Sequence, residues 1–169
     1  MKYDRTTYWL HAGLAFGVSA QLMFSLMMDA PRLGVPTGGM GDFFFRIHRM
    51  GGLGVLALLI IHWLWQLSGR ASNGMKVLYP WLFKRRLSPS SAPRSITGRL
   101  QLSAGTVQGL GLLIASLMAM TGLILFFGVA SDGAMSAFVT AIRELHGVTA
   151  IALWIYLGLH WAISLLRFI

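Results

Sequence analysis

The chain has 169 residues, 56% of them hydrophobic and only 11% charged, with a net charge of +9 and no cysteine. An ordinary soluble domain carries about a quarter charged residues, so this composition excludes that class. The missing thiols exclude a disulfide framework, covalently attached c-type haem and cysteine-held iron–sulfur clusters within the chain.

Four apolar runs approach or exceed the roughly 18–20 residues needed to cross a bilayer. They predict helices over 8–28, 47–67, 104–128 and 146–166, in a single domain covering 1–169. The fold class expected is all-α, an integral membrane four-helix bundle. The first run follows a short polar start and carries Gly13 and Gly17 at a spacing suited to close helix approach. It is too long for a signal peptide and shows no convincing small-residue cleavage site. His11 sits about one turn inside it.

Residues 29–45 contain Pro31, Pro36 and four glycines, which predicts a loop, with Phe43, Phe44 and Phe45 at the membrane interface. The second helix opens on His48, followed by Gly51, Gly52 and Gly54, and carries His62 near its other end. Those glycines suit either tight helix packing or the close approach of a flat cofactor to the backbone. The long connection 68–103 includes Tyr79, Pro80, Trp81, Leu82 and Phe83, read as a membrane-surface anchor, and a flexible stretch from Ser88 to Arg94. The third helix has no histidine; its Gly105 and Gly109 favour packing, and Gln108, Ser116 and Thr121 read as interhelical hydrogen-bonders. Residues 129–145 form a short connection with room for an interfacial helical turn. The fourth helix carries His146 and His160.

Charge distribution sets the expected orientation. The connection 70–99 holds Arg70, Lys76, Lys84, Arg85, Arg86, Arg94 and Arg99 without an acidic residue, and Lys2, Arg5 and Arg167 join it on the same side. On the opposite side Arg32, Arg46, Arg49 and Arg143 are balanced by Asp29, Asp42, Asp132 and Glu144. This is the positive-inside pattern, which places both termini in the cytoplasm and makes nucleic acid an unneeded explanation of the charge.

The histidines carry the chemistry. His146 and His160 are fourteen residues apart, as are His48 and His62. Fourteen residues bring a helix to within about 40° of the starting face and about 21 Å along its axis, most of a hydrocarbon core of about 30 Å. Antiparallel crossing then places His48 and His146 near the outer face, and His11, His62 and His160 near the inner one. One intramembrane histidine can be a packing residue; five on three helices, sorted into two depths, imply function. Zinc or copper needs more ligands than the outer pair supplies, and a proton relay would use intramembrane carboxylates, which are missing. Haem fits, because the porphyrin supplies four nitrogens and the protein adds two axial imidazoles from facing helices. The outer pair is His48 with His146; the inner iron has His11, His62 and His160 to choose from, and depth does not separate them. Arg46, Arg49 and Arg143 at one end, and Arg70, Arg99 and Arg167 at the other, are candidates for propionates or ordinary membrane-edge charges. Met50 and Met118 are weaker candidate ligands, since methionine is common filler in apolar helices.

Trp9-Leu10-His11, His48 before Gly51-Gly52, Thr121-Gly122, and His146 with His160-Trp161 occur in this order along the four helices. In this the chain resembles the prokaryotic cytochrome b561 family, which includes cytochrome b subunits of nickel–iron hydrogenases and formate dehydrogenases. The resemblance covers all four helices and is weakest in 70–100. It implies two b-type haems, with axial pairs His11–His160 and His48–His146. His62 stands where many members have a basic residue, which leaves it as a propionate contact or as the alternative inner ligand. Paired histidines on the second and fourth helices also look like cytochrome b of the bc complexes, where His62 would face His160.

The expectation is a multi-pass cytochrome of the cell inner membrane, embedded in lipid, that passes electrons to or from quinone and a redox partner protein or dehydrogenase subunit; a homodimer is compatible with it. Two alternatives belong to other classes: a superoxide:quinone oxidoreductase, with Arg46 and Arg49 steering the anion, and a haem-free membrane anchor.

Overall fold

A computed structural model describes residues 4–31, 38–71, 74–80, 82 and 96–165, with side chains left out at 96–104 and 163. Five helices occur among them: α1 (Arg5–Ser25), α2 (Met40–Leu67), α3 (Met75–Leu78), α4 (Ile96–Gly128) and α5 (Ala137–Leu165). The chain is all-helical over the described residues.

Within α2, α4 and α5, the segments Met40–Leu67, Gly105–Gly128 and Ala137–Ala162 are long and apolar enough to cross a membrane. Only 17% of each apolar window is buried inside the protein. Much of the remaining apolar surface is partly or fully exposed, a distribution suited to lipid and costly in water. α1 was expected as a fourth span of the same kind. It has the length, but His11 and Gln21 lower its hydropathy, and it is not among the three span segments.

Three helix starts differ from the expected ones. α2 begins seven residues before 47, so Phe43, Phe44 and Phe45 are helical rather than part of a loop. α5 begins nine residues before 146 and absorbs most of the connection placed over 129–145. α4 extends back to Ile96. In each case an amphipathic or polar turn precedes the apolar run: helical hydrogen bonding continues past the point where hydropathy falls. α1 spans 5–25 instead of 8–28. It starts where Asp4 caps it, its carboxylate accepting from the Thr7 amide at 2.8 Å and from the Thr7 hydroxyl at 2.5 Å.

Side-chain contacts give the helix directions. Trp65 donates to the Thr7 hydroxyl (3.1 Å), which sets the end of α2 beside the start of α1. Arg49 donates to the Phe126 carbonyl (2.6 Å) and Trp63 to the Ser116 hydroxyl (2.9 Å), so α2 and α4 are antiparallel. Tyr156 donates to the Val107 carbonyl (3.1 Å), while His146 meets Thr121, so α4 and α5 are antiparallel as well. α2 and α5 therefore run the same way. Midway along, Leu14, Leu59 and Leu112 form a buried cluster that Val55, Leu58, Trp63, Ala115 and Ala119 pack around. Gly13 and Gly17 let α1 approach Leu58 and Val55 closely, as their spacing predicted.

Tyr79 departs from its expected role as a surface anchor. It is 1% exposed, its ring lies parallel to Trp63 at 5.9 Å, and its hydroxyl donates to the Gly109 carbonyl at 3.2 Å. Gly105 and Gly109 make room for α3 by leaving its backbone at Val77 and Leu78 unobstructed. Burial pushes the Tyr79 phenol up to about 12, which keeps it a neutral donor. Trp81, Phe83 and the Ser88–Arg94 stretch lie outside the described residues.

Candidate functional site

Two histidine pairs form. The rings of His48 on α2 and His146 on α5 have centroids 6.4 Å apart and planes at 89°. Those of His11 on α1 and His160 on α5 are 6.1 Å apart at 63°. A ring centroid lies roughly 1.15 Å from its nitrogen and histidine binds a first-row metal at about 2.0 Å, so two imidazoles on opposite sides of one ion have centroids about 6.3 Å apart. Both pairs match that separation. No group of three or more His, Cys, Asp or Glu occurs among the described residues. The imidazoles thus come in twos, which suits an ion whose remaining ligands are not supplied by the protein.

Hydrogen bonds fix the outer rings. His48 Nδ1 lies 3.1 Å from the carbonyl oxygen of Gln21. A carbonyl only accepts, so this nitrogen carries the proton and Nε2 is left with its lone pair. His146 Nδ1 lies 2.9 Å from Thr121 Oγ1. The threonine hydroxyl also lies within reach of the carbonyls of Leu117 (2.9 Å) and Met118 (3.0 Å); with its proton given to one of them, Oγ1 accepts from His146, which also meets the Met118 carbonyl. Both rings therefore offer Nε2 as an electron-pair donor. Metal-bound histidines are held this way, the second nitrogen donating to a fixed acceptor.

A cavity of about 390 Å³ opens beside this pair. His48, His146, Gln21, Gly52, Gly122 and Met118 contribute to its walls, together with Arg49 and Arg143. Volume, apolar lining and a few convergent polar groups are the properties of a cofactor site. The glycines divide by role. A Cβ at Gly51 would collide with the Gln21 carboxamide, so this glycine serves helix packing; one at Gly52 would meet nothing within 4 Å, and Gly52 faces the cavity. A Cβ at Gly122 would lie 3.3 Å from His146 Cε1, so the ring rests on the α4 backbone.

The inner pair is held differently. Tyr156 stacks on His160 at 5.6 Å and 21°, and is itself tied to the Val107 carbonyl. His62 is 2% exposed and its Nδ1 has no hydrogen-bond partner. The Trp65–Thr7 bond puts His62 and His11 at similar depths, three residues inward from Trp65 and four from Thr7. The ring brought against His160 is that of His11.

Among the arginines, Arg46 pairs with Asp42 (2.6 Å) and is mostly exposed. Arg49 bonds the end of α4 and its guanidinium lies over Phe126 (4.6 Å) and Phe45 (5.6 Å). Met50 is 63% exposed and does not line the cavity. The side chain of Arg99 and all of Arg167 lie outside the described residues. Three contributors went unread in the sequence: the Gln21 carbonyl, the Tyr156 ring and the role of Thr121 toward His146. A main-chain acceptor leaves no sequence signal. Thr121 was read as an interhelical hydrogen-bonder, which it is, without its partner.

Apolar spans and paired imidazoles define the class: a membrane protein built to hold a metal-centred cofactor between helices. A family model for prokaryotic cytochrome b561 matches residues 2–168, and the chain belongs to that family. Membership brings haem b binding and electron transfer at the membrane. Comparison with curated proteins and with solved structures found no match.

Proposed function

We propose that this chain is a di-haem cytochrome b that carries electrons across the cell inner membrane, to or from quinone, in a respiratory chain. The carrying observation is the pair of imidazole couples, at 6.4 and 6.1 Å, both at the separation that one bridging iron requires. When bound, haem iron supplies reversible one-electron chemistry.

The protein's residues do the rest. His48 with His146, and His11 with His160, would hold the two haem irons; His62 stands beside the inner pair as a propionate contact or as the alternative inner ligand. With two imidazoles holding each iron, the haems would be suited to electron transfer rather than to binding of small molecules. Fourteen residues separate the tiers along α5, about 21 Å of helix. The Leu14, Leu59 and Leu112 cluster packs between them. In this reading α1, α2, α4 and α5 form a four-helix transmembrane bundle spanning 1–169, with both termini cytoplasmic. Lipid surrounds it, and a redox partner protein or a second copy of the chain docks at one face.

The superoxide-oxidising alternative draws less support, because Arg46 and Arg49 are already committed to Asp42 and to the end of α4. The visible spectrum of the detergent-purified protein tests the main reading. A sharp α-band on reduction, with two haems per chain by pyridine extraction, is expected. A colourless protein would instead be a membrane anchor.

A further inference from the structure

Thr121 is 2% exposed and sits on α4 facing His146. Its hydroxyl lies 2.9 Å from the Leu117 carbonyl, 3.0 Å from the Met118 carbonyl and 2.9 Å from His146 Nδ1; with its single proton given to a carbonyl, it accepts from the imidazole. In that arrangement His146 Nδ1 carries the proton and Nε2 is free. Gly122, next in the chain, lets the ring settle against the helix: a Cβ there would press on Cε1 at 3.3 Å. The two residues act as a seat, one fixing the proton and the other the height of the ring.

The outer couple is asymmetric in this respect. His48 donates to a main-chain carbonyl, which no substitution alters directly. His146 meets the Thr121 hydroxyl as well as the main-chain carbonyl of Met118, so part of its electron-donating strength depends on residue identity. A hydrogen bond from Nδ1–H makes the imidazole a stronger donor at Nε2, and the ferric state gains more from that than the ferrous.

We propose that Thr121 is a positioning residue for the outer haem, setting the tautomer of His146 and through it the balance between ferric and ferrous iron at that site alone. This rests on the di-haem reading above.

The test uses the full-length protein in detergent, with Thr121→Val, Thr121→Ser and Thr121→Cys. The readouts are haem retention on dilution and a spectroscopic redox titration resolved into two components; the outer one is the component lost in His48→Ala. Valine keeps the shape and removes the acceptor. It should weaken outer haem retention by about 10–100-fold, and leave the inner component in place. A tenfold larger loss for the ferric state raises the outer potential by about 59 mV. Serine restores the acceptor and should return both readouts to the parent values. Cysteine, a weak acceptor, should fall between, and it carries the test if the valine variant does not accumulate.

A packing role predicts the reverse order, with valine harmless and serine damaging, and that order would overturn the proposal. So would equal shifts of both components. Parent protein that purifies without haem overturns the di-haem reading itself, and is seen before any variant is made.

Discussion

The two ends of the helical assembly solve one problem by different means. At the outer end each imidazole is held through its second nitrogen, His48 by the Gln21 carbonyl and His146 by the Thr121 hydroxyl. At the inner end a ring face contributes, with Tyr156 lying over His160 and anchored in turn to Val107. A hydrogen bond fixes which nitrogen is protonated and alters donor strength. A stacked ring fixes orientation with less effect on the proton.

Removing a ligand should break the comparison most completely. His48→Ala or His146→Ala should halve the haem content, with the remaining haem matching the inner component; His160→Ala should leave the outer one. His11→Ala against His62→Ala is decisive at the inner end. Loss of the inner haem in His11→Ala with retention in His62→Ala is expected, and the opposite result would transfer the ligand role to His62. Pyridine haemochrome assays on each variant give the answer.

Smaller changes should act on one end only. Gly122→Ala inserts a methyl against His146 and should loosen the outer haem about tenfold while the inner stays put, read as haem retention on dilution. Tyr156→Leu removes the inner stack and should disturb only the inner component of the redox titration. Tyr156→Phe keeps the ring, loses the Val107 bond, and should cost about 0.5–1.5 kcal/mol of stability by thermal unfolding.

The smallest effect concerns Tyr79, outside both sites. Its raised pKa means that the folded state holds the phenol proton more tightly than the unfolded chain. Its stabilising contribution is full below pH 10 and is lost as pH rises toward 12. Tyr79→Phe should abolish that part of the alkaline loss, as followed by unfolding against pH.

Much of the site was legible because histidine is costly in an apolar helix and periodicity converts spacing into depth. His48, His146, His11 and His160 were all placed that way, though the residues alone left the inner choice open. Helix starts were misread where polar turns precede apolar runs, at Met40 and at Ala137, since hydropathy reports lipid contact rather than hydrogen bonding. α1 shows the converse: its polar His11 and Gln21 dilute the apolar signal, and the His11 ring joins the inner pair. Tyr79 was misassigned because an aromatic near a membrane edge has the same sequence appearance whether it faces lipid or an interior glycine.

The central claim is that each imidazole couple holds one iron. Quantifying haem against protein in the purified chain tests it most directly. Two low-spin haems per chain, falling to one in His146→Ala, is the result predicted; a single haem unaffected by that substitution would contradict it.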